Sequence, residues 1–233
     1  MINTIKQANK VTGGLSRPSK MPCPAYSIPA ETCRTGAKLV DVKGSVCSGC
    51  YAMKNNYKRF AKTIKPKLYE RYRKLFNEQW VEGMVLLINK QCKNGFFRWH
   101  DSWDVQSIEH IKRIVMVCKK TPEVMHWVPT REFRLVKQYI KKYGAFPGNL
   151  TVRLSAHMIE GKAPEIENLP TSTVSANNYN CKAYLTDKND NVHKPDHFAK
   201  LNKAAKRALD FGHCGKCRKC WSKSVKNITY KLH

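Results

Sequence analysis

The sequence predicts an α/β fold in which a parallel sheet forms a partial or modified (β/α) barrel, with cysteine-rich metal-binding segments near both ends of the chain. From residue 95 onward, strand patterns alternate with helical patterns, and this alternation requires parallel pairing through crossover helices. Eight of the ten cysteines lie in two groups that flank the alternating part. A doubly wound sheet is the other architecture that the same alternation allows.

The first third of the chain predicts a loop-rich lead-in followed by helices. Residues 1–20 are polar and punctuated by Pro, Gly and Ser, which indicates a flexible or strapped-down segment. Residues 21–50 are also rich in Pro and Gly, which interrupt helices and strands, so we expect a loop there that a bound metal organises. A helix begins near Tyr51, and Pro66 opens a second helix whose apolar residues keep a 3.6-residue period as far as Ile88.

The rest of the chain supplies strands and crossover helices. In order, we predict a strand over 95–100, a loop over 101–104, a helix over 105–120, a strand over 124–129, a helix over 133–143, strands over 150–157 and 172–176, and a basic helix over 198–211. We divide the chain into a lead-in with the first cysteine-rich loop (1–50), an α/β core (51–211) and a C-terminal cysteine-rich segment (212–233). All three parts are expected to form one compact domain.

The chain is strongly basic. Its 43 Lys and Arg residues oppose 17 Asp and Glu residues, which gives a net charge of +26. Such a charge attracts polyanions, so nucleic acid or another polyanion is the partner we expect. The basic residues are spread along the chain and mark no single docking face, and the sequence predicts no particular oligomeric state.

The distribution of apolar residues argues against a membrane or secreted protein. No stretch of about 18 apolar residues is present, so we expect no membrane span. The first ten residues lack the apolar segment of a secretion signal, which predicts a cytoplasmic protein. In a reducing cytosol, clustered cysteines usually hold metal and do not form disulfides.

The most specific signal comes from the C-terminal cysteines. Cys214, Cys217 and Cys220 follow a C-x2-C-x2-C spacing, by which ferredoxin-type segments hold three corners of a cubane iron–sulfur cluster. Cys181 lies upstream and supplies a fourth thiolate. A structural zinc site more often pairs two distant C-x2-C knuckles, so the third cysteine favours iron–sulfur over zinc.

A second cysteine group comes before the helix expected near residue 51. Its members are Cys23, Cys33, Cys47 and Cys50. A helix N-terminus stabilises nearby negative charge, which suits an anionic, thiolate-ligated cluster. The eight cysteines therefore divide into two groups of four. Two other partitions stay open. One zinc site could join Cys47 and Cys50 to Cys217 and Cys220, or zinc could fill the first group beside a single cubane in the second.

Polar residues follow the predicted strands, where the reactive groups of parallel α/β proteins gather. His100, Asp101 and Asp104 come after the first strand, and Arg131 comes after the second. We predict that these four side chains lie near the substrate. His and Asp would serve proton transfer or orientation, and Arg131 would hold a carboxylate or phosphate. The competing interpretations are a satisfied, half-buried His100 and a helix-capping Asp104.

Four segments resemble, in this order, the gene product 88-like family of bacteriophage proteins. They read SIPAETCRTGAKL, VCSGCYAMKNNY, FRWHDSWDVQS and CGKCRKCW, and the likeness runs across most of the chain. The resemblance implies a phage protein in the cytoplasm of an infected bacterial host. It implies a biological context more than a mechanism.

A weaker resemblance connects the chain to radical S-adenosylmethionine enzymes. These similarly place a cluster loop before a helix, βα units after it, and an auxiliary cluster in a cysteine-rich C-terminal segment. The chain departs from their C-x3-C-x2-C spacing, since thirteen residues separate Cys33 from Cys47, and no glycine-rich cofactor stretch follows the first strand. This departure weighs against S-adenosylmethionine as a cofactor.

The sequence therefore predicts an iron–sulfur protein with one or two 4Fe–4S clusters, zinc being the other metal that the cysteines could bind. Redox or radical chemistry on a substrate, with nucleic acid among the candidates, would require an electron donor as a partner. The alternative function is a non-catalytic, zinc-stabilised, basic nucleic-acid-binding protein. In that protein the cysteines would supply only folding free energy.

Overall fold

The computed structural model describes residues 1–53 and 61–232, and its centre is a six-stranded parallel sheet. The strands are β1 (Ala25–Tyr26), β2 (Phe96–Trp99), β3 (Met125–Thr130), β4 (Leu150–Ser155), β5 (Thr171–Ser175) and β6 (Asn227–Lys231). Their order in the sheet follows their order in the chain, and every neighbouring pair is parallel. The predicted α/β class and parallel pairing are confirmed.

The sheet is open, with β1 and β6 at its edges. A doubly wound sheet would reverse its strand order at a switch point, and the sequential order of the described strands has no such reversal. Closure into a barrel is not found among the described residues.

Helices precede, connect and follow these strands. The described ones are α1 (Ile5–Thr12), α2 (Arg34–Leu39), α3 (Ala61–Lys74), α4 (Trp80–Gln91), α5 (Ile108–Lys120), α6 (Phe133–Tyr143), α7 (Pro195–Lys200) and α8 (Lys203–Leu209). Short 3-10 turns occupy Ala30–Thr32, Tyr51–Met53, Ala183–Leu185 and Lys219–Trp221. Within the described ranges, no helix combines the length and apolar character needed to cross a bilayer.

The lead-in is more ordered than its composition indicated, because it contains α1. The Thr4 hydroxyl accepts the Gln7 amide at 3.2 Å, and the Gln7 side chain accepts the Thr4 amide at 3.1 Å. This reciprocal capping box starts the helix. Gly13, with φ of 81°, ends it in the left-handed conformation that glycine adopts without strain.

Polar side chains also change two of the predicted helices. The apolar stripe of residues 66–88 is split into α3 and α4, because Asn77 accepts the amides of Gln79 and Trp80 through its side chain and carbonyl. Pro66 lies inside α3 and does not open it. The helix expected from residue 105 begins only at Ile108 because Ser107 caps it.

The basic helix expected over 198–211 is two shorter helices. Asn202 breaks it, since its side chain accepts the Ala205 amide at 2.8 Å and starts α8. Of the helix expected near Tyr51, the structure describes only the turn Tyr51–Met53. Residues 54–60, the next part of that predicted helix, lie outside the described residues.

Two strands lie inside the cysteine-rich segments. β1 comes from the predicted lead-in and β6 from the predicted C-terminal segment, yet both pair with strands of the central part. The three parts proposed from the sequence therefore share one sheet.

Side chains of the central strands alternate between two apolar clusters. Phe97 and Val128 belong to the main core, where α4, α5 and α6 pack against the sheet. Trp127 belongs to a second cluster with Cys23 and Trp221. Because successive strand residues point to opposite faces, the second cluster lies on the face that these helices do not cover.

The contact between α1 and α4 gives a test of the fold. A Cβ on Gly83 of α4 would stand 2.7 Å from methyl groups of both Val11 and Thr12. We expect Gly83→Ala to lower the free energy of unfolding by about 1–2 kcal/mol, because overpacking outweighs the better helix propensity of Ala. Urea unfolding measures this change.

Gly148→Ala is the matched control, because nothing lies within 4 Å of its added Cβ. It should cause no loss of stability. Equal or higher stability for Gly83→Ala than for the unaltered chain would contradict the close packing of α1 on α4.

Candidate functional site

One cavity, of about 2290 Å³, lies over the sheet face that carries the second apolar cluster. It is lined by an N-terminal group of thiols and a C-terminal group of thiols. The N-terminal group is Cys33, Cys47 and Cys50, and the C-terminal group is Cys181, Cys214, Cys217 and Cys220. Small-molecule pockets usually measure roughly 300–1,000 Å³. The cavity therefore has room for inorganic groups as well as a substrate.

The N-terminal group is assembled beyond the carboxyl end of β1. Cys33 is the N-cap residue of α2. The sulfurs of Cys33 and Cys47 lie 3.6 and 3.7 Å from the point where a Cβ on Gly36 would stand. The Cys50 amide donates to the Cys47 carbonyl at 3.0 Å, which closes the turn between them. Gly36 thus leaves space beside two converging sulfurs.

An acidic and a basic side chain near the N-terminal group have opposite effects on the pKa values of its thiols. Burial raises the pKa values of the Cys33 and Cys47 thiols. For both thiols, the Asp104 carboxylate raises the pKa further and the Arg131 guanidinium lowers it. Coordination to a metal deprotonates a thiol outright. These buried thiols are therefore poor free nucleophiles, and a bound metal would deprotonate them.

Cys23 lies away from the other three thiols with which its sequence position grouped it. It precedes β1 whereas Cys33 follows β1, so the strand separates them along its axis. Cys23 packs with Trp127 and Trp221. Burial raises its pKa to about 12, and Cys214 is one of the thiols that raise it further. The structure thus places Cys23 beside the C-terminal group.

The C-terminal group brings together the four cysteines that spacing predicted. Burial raises the pKa of Cys214 to about 12, and the other three thiols of the group raise it further. Burial likewise raises the pKa of Cys220 to about 11, although a hydrogen bond with Tyr230 lowers it. These mutual interactions place the four side chains in one neighbourhood.

Arg153 holds the C-terminal segment against the sheet. It lies on β4 with none of its surface exposed. Its guanidinium donates to four backbone carbonyls at 2.8–3.3 Å, those of Thr171, Lys219, Ser222 and Val225. Three of these carbonyls belong to the end of the C-x2-C-x2-C run and the residues directly after it. A single buried cation therefore fixes the end of the cysteine loop.

Trp221 provides a second anchor. Its indole nitrogen donates to the Phe97 carbonyl on β2 at 2.8 Å, and its own carbonyl accepts the Thr151 hydroxyl on β4 at 2.7 Å. Its ring packs edge-on against Trp127, with centroids 5.2 Å apart. The residue directly after Cys220 is thereby bound to three strands of the sheet.

The spacing of the thiols bears on the kind of metal. Among residues 1–53 and 61–232, no three Cys, His, Asp or Glu side chains are grouped tightly enough to hold a single metal ion. Thiolates on one Zn²⁺ would lie about 3.8 Å apart, given tetrahedral Zn–S bonds of about 2.3 Å. Cubane thiolates each bind a different iron and stand further apart. Metal binding, and the choice between an iron–sulfur cluster and zinc, therefore stays a prediction.

His100 is buried more completely than its sequence position indicated. Burial lowers its pKa to about 3, although the nearby Tyr26 carbonyl raises it, so the ring is neutral at pH 7. Neither ring nitrogen makes a well-formed hydrogen bond to a described residue. His100 and Trp103 have φ values of 60° and 88°, strained for residues with a Cβ. A neutral His100 is suited to hydrogen bonding and unsuited to acting as a general acid.

Asp104 joins two loops and does not cap α5. Its carboxylate accepts the Thr130 hydroxyl at 2.5 Å, the Arg131 amide at 2.6 Å and the Val105 amide at 2.8 Å. Burial raises its pKa to about 6. Ser107 provides the helix cap in its place. The capping interpretation of Asp104 is therefore wrong, and the residue ties the loop after β2 to the loop after β3.

Asp101 and Arg131 also line the cavity. The Nε of Arg131 donates to the Ala156 carbonyl at 3.2 Å, which fixes the side chain beside the N-terminal group. The structure thus brings His100, Asp104 and Arg131 to the same end of the cavity as the N-terminal group, with Asp101 on the connecting loop.

Sequence reasoning missed several residues around the C-terminal group. Arg98, Trp127, Arg153 and Tyr230 lie on the strand face that carries the cavity or its floor. The runs FFRW and LTVRLS did contain a signal, because an arginine within a buried strand needs a partner. No comparable signal marks Tyr230.

The cavity lining is strongly cationic. Among the described residues it includes eleven Lys and Arg residues but only four acids, Glu31, Asp101, Asp104 and Asp190. The cations are Arg17, Lys20, Lys67, Arg71, Arg98, Arg131, Lys182, Lys216, Arg218, Lys219 and Lys231. The positive charge of the whole chain is therefore also present where a substrate would enter.

These features define an α/β protein whose parallel sheet carries two cysteine groups in one basic cavity. The chain belongs to the gene product 88 family, whose family model matches residues 2–223. This match confirms the resemblance found in the sequence. Searches of the curated proteins and of the solved structures found no match.

The anchoring role of Arg153 can be tested by Arg153→Met, which keeps much of the side-chain volume. Four partly buried carbonyls would lose their donor, so we expect the free energy of unfolding to fall by about 3 kcal/mol or more. Urea denaturation followed by tryptophan fluorescence measures the loss.

Arg134→Met, at an exposed position of α6, is the control and should change stability by less than about 0.5 kcal/mol. Similar stabilities for the two variants would show that Arg153 does not anchor the segment.

Proposed function

We propose that this protein binds two 4Fe–4S clusters in one cavity and uses them for redox or radical chemistry on an anionic substrate. The observation that carries the proposal is that two cysteine groups, more than 130 residues apart in the chain, line the same cavity. Structural zinc sites are closed, four-coordinate sites. Thiols that face a large common cavity are better suited to electron transfer.

The N-terminal group supports the reactive role. Its three thiols would leave one corner of a cubane without a protein ligand. The thirteen residues between Cys33 and Cys47 contain α2, so the long spacing is compatible with convergence of the thiols. When bound, such a cluster supplies single electrons to a molecule beside its open iron. The likeness to radical S-adenosylmethionine enzymes supports this assignment.

The chain's own residues would position the substrate there. Arg131 lies beside Cys33 and Cys47 and could pair with a carboxylate or phosphate. Asp104 holds the backbone of Arg131. The neutral His100 could accept or donate one hydrogen bond without adding charge.

The C-terminal group supports a different role. Its four thiols can fill all corners of a second cubane, which then has no open iron. A fully ligated cluster exchanges electrons without binding substrate. We therefore assign electron transfer to the C-terminal group, with an electron donor protein as a partner.

The cationic lining favours an anionic substrate, and nucleic acid is the first candidate. Phosphates attract Lys and Arg and release bound counterions when they are neutralised. The rival function, a zinc-stabilised nucleic-acid-binding protein, explains the charge equally well. The metal bound by the purified protein, iron or zinc, distinguishes these two functions.

We expect anaerobically purified protein to be brown and to contain about eight iron and eight sulfide per chain, as two cubanes require. Cys47→Ser and Cys217→Ser should each lose about half of the iron. Cys92→Ala, a buried cysteine outside both groups, should keep all of it. Stoichiometric zinc without iron or sulfide would contradict the proposal.

We also expect binding of a fluorescent single-stranded oligonucleotide to weaken steeply with salt. The neutralising pair Lys182→Gln with Lys216→Gln, at exposed cavity positions, should reduce the magnitude of the slope of log K against log salt by about 1.4, which is about 0.7 for each phosphate contact to a single strand. The control pair Lys137→Gln with Lys141→Gln, on the exposed side of α6, should have little effect. Equal effects of the two pairs would place binding outside the cavity.

A further inference from the structure

We infer that the C-terminal group holds the higher-potential cluster of the two, because Tyr230, Arg98 and Arg153 stabilise the extra negative charge of its reduced form. This inference rests on the proposed function. It assigns a direction to electron flow within the cavity, which the thiol positions alone do not provide.

Tyr230 makes the most specific contact. It lies on β6, faces the cavity and places its hydroxyl 3.2 Å from the sulfur of Cys220. A sulfur that ligates iron is a thiolate without a proton, so the phenol is the donor in this pair. A hydrogen bond strengthens as charge on its acceptor grows. The contact therefore stabilises the reduced, more negative cluster.

Two arginines add to this effect. Arg98 and Cys214 both contact the Met21 sulfur, at 3.4 and 3.7 Å. Arg153 donates to the carbonyl of Lys219, the residue directly before Cys220, at 3.3 Å. Arg98 is held over the ring of Trp127, with its guanidinium carbon 4.6 Å from the ring centroid. Arg153 is fixed by four carbonyls. Because both cations are fixed in place by other contacts, they favour added negative charge at the C-terminal group.

The charged residues around the N-terminal group differ from those around the C-terminal group, because they include the acid Asp104. The buried Asp104 carboxylate accepts the Arg131 amide at 2.6 Å, and both residues line the cavity together with Cys33 and Cys47. Among the residues that the structure describes, the Asp104 anion thus offsets the Arg131 cation there. The C-terminal group has two cations and a hydrogen-bond donor, so an added electron is more stable on the C-terminal group.

The redox step is a one-electron reduction in which no bond forms or breaks. A 4Fe–4S cluster in the 2+ state accepts one electron and becomes 1+. In a titration the electron comes from dithionite, and in the cell it would come from a reduced flavin or iron–sulfur protein. Electrons delivered to the cavity would then collect first at the C-terminal group.

Potentiometric titration followed by electron paramagnetic resonance tests the inference. The signal of the C-terminal cluster is the one missing from Cys217→Ser, and we expect it to develop at the higher potential. Tyr230→Phe should lower the equilibrium constant for its reduction about three- to tenfold, each tenfold being 59 mV for a one-electron couple. Tyr143→Phe, at the exposed end of α6, should leave it unchanged.

Arg98→Gln provides a second, independent variant and should also lower that constant. Two results would overturn this inference and leave the proposed function intact. One is an unchanged midpoint potential of the C-terminal cluster in both variants at full iron content. The other is reduction of the N-terminal cluster at the higher potential. Iron that stays fully bound in Cys217→Ser with Cys220→Ser would overturn both the C-terminal cluster and this inference.

Discussion

The architecture depends on covering a parallel sheet on both of its faces. Parallel sheets are normally buried on both sides, and here α4, α5 and α6 pack on one side only. On the other side, Arg153 and Trp221 bind the C-terminal cysteine segment to the strands through backbone carbonyls and an apolar contact. The cysteine segment is consequently part of the fold and not an appendage to it.

This arrangement also decides where the chemistry can occur. The N-terminal group follows β1, so it lies at the carboxyl ends of the strands, where the loops after β2 and β3 supply Asp104 and Arg131. The C-terminal group is fixed over the floor of the same cavity. The two groups therefore share one space with different electrostatic surroundings. Under the proposed function, one end would bind the substrate and the other would store an electron.

The sequence predicted β2 to β5 and missed β1 and β6, the two edge strands. Residues such as Phe97 and Val152 belong to the main core, so the apolar residues of β2 to β4 made these strands foreseeable from the sequence. β6 reads NITYK and owes its position partly to a pair of threonines, Thr173 and Thr229, whose hydroxyls lie 2.9 Å apart. Such a polar strand is recognisable only when its neighbour is known.

The candidate site was predictable to a similar extent. Close spacing of Cys214, Cys217 and Cys220 marked the C-terminal group, because nearby residues of a loop can converge on one centre. The sequence positions of the cysteines wrongly grouped Cys23 with Cys33. Strand β1 lies between the two residues, so they are at opposite ends of the strand. Side chains that come from separate strands, such as Arg98 and Tyr230, meet only through the sheet register.

The central claim is that both cysteine groups hold iron clusters that face one cavity. Anomalous diffraction from anaerobically grown crystals, measured on both sides of the iron absorption edge, tests it most directly. The account predicts two compact iron peaks, one among Cys33, Cys47 and Cys50 and the other within the C-terminal group. A peak at the zinc edge with no iron signal, or sulfurs with no metal between them, would contradict it.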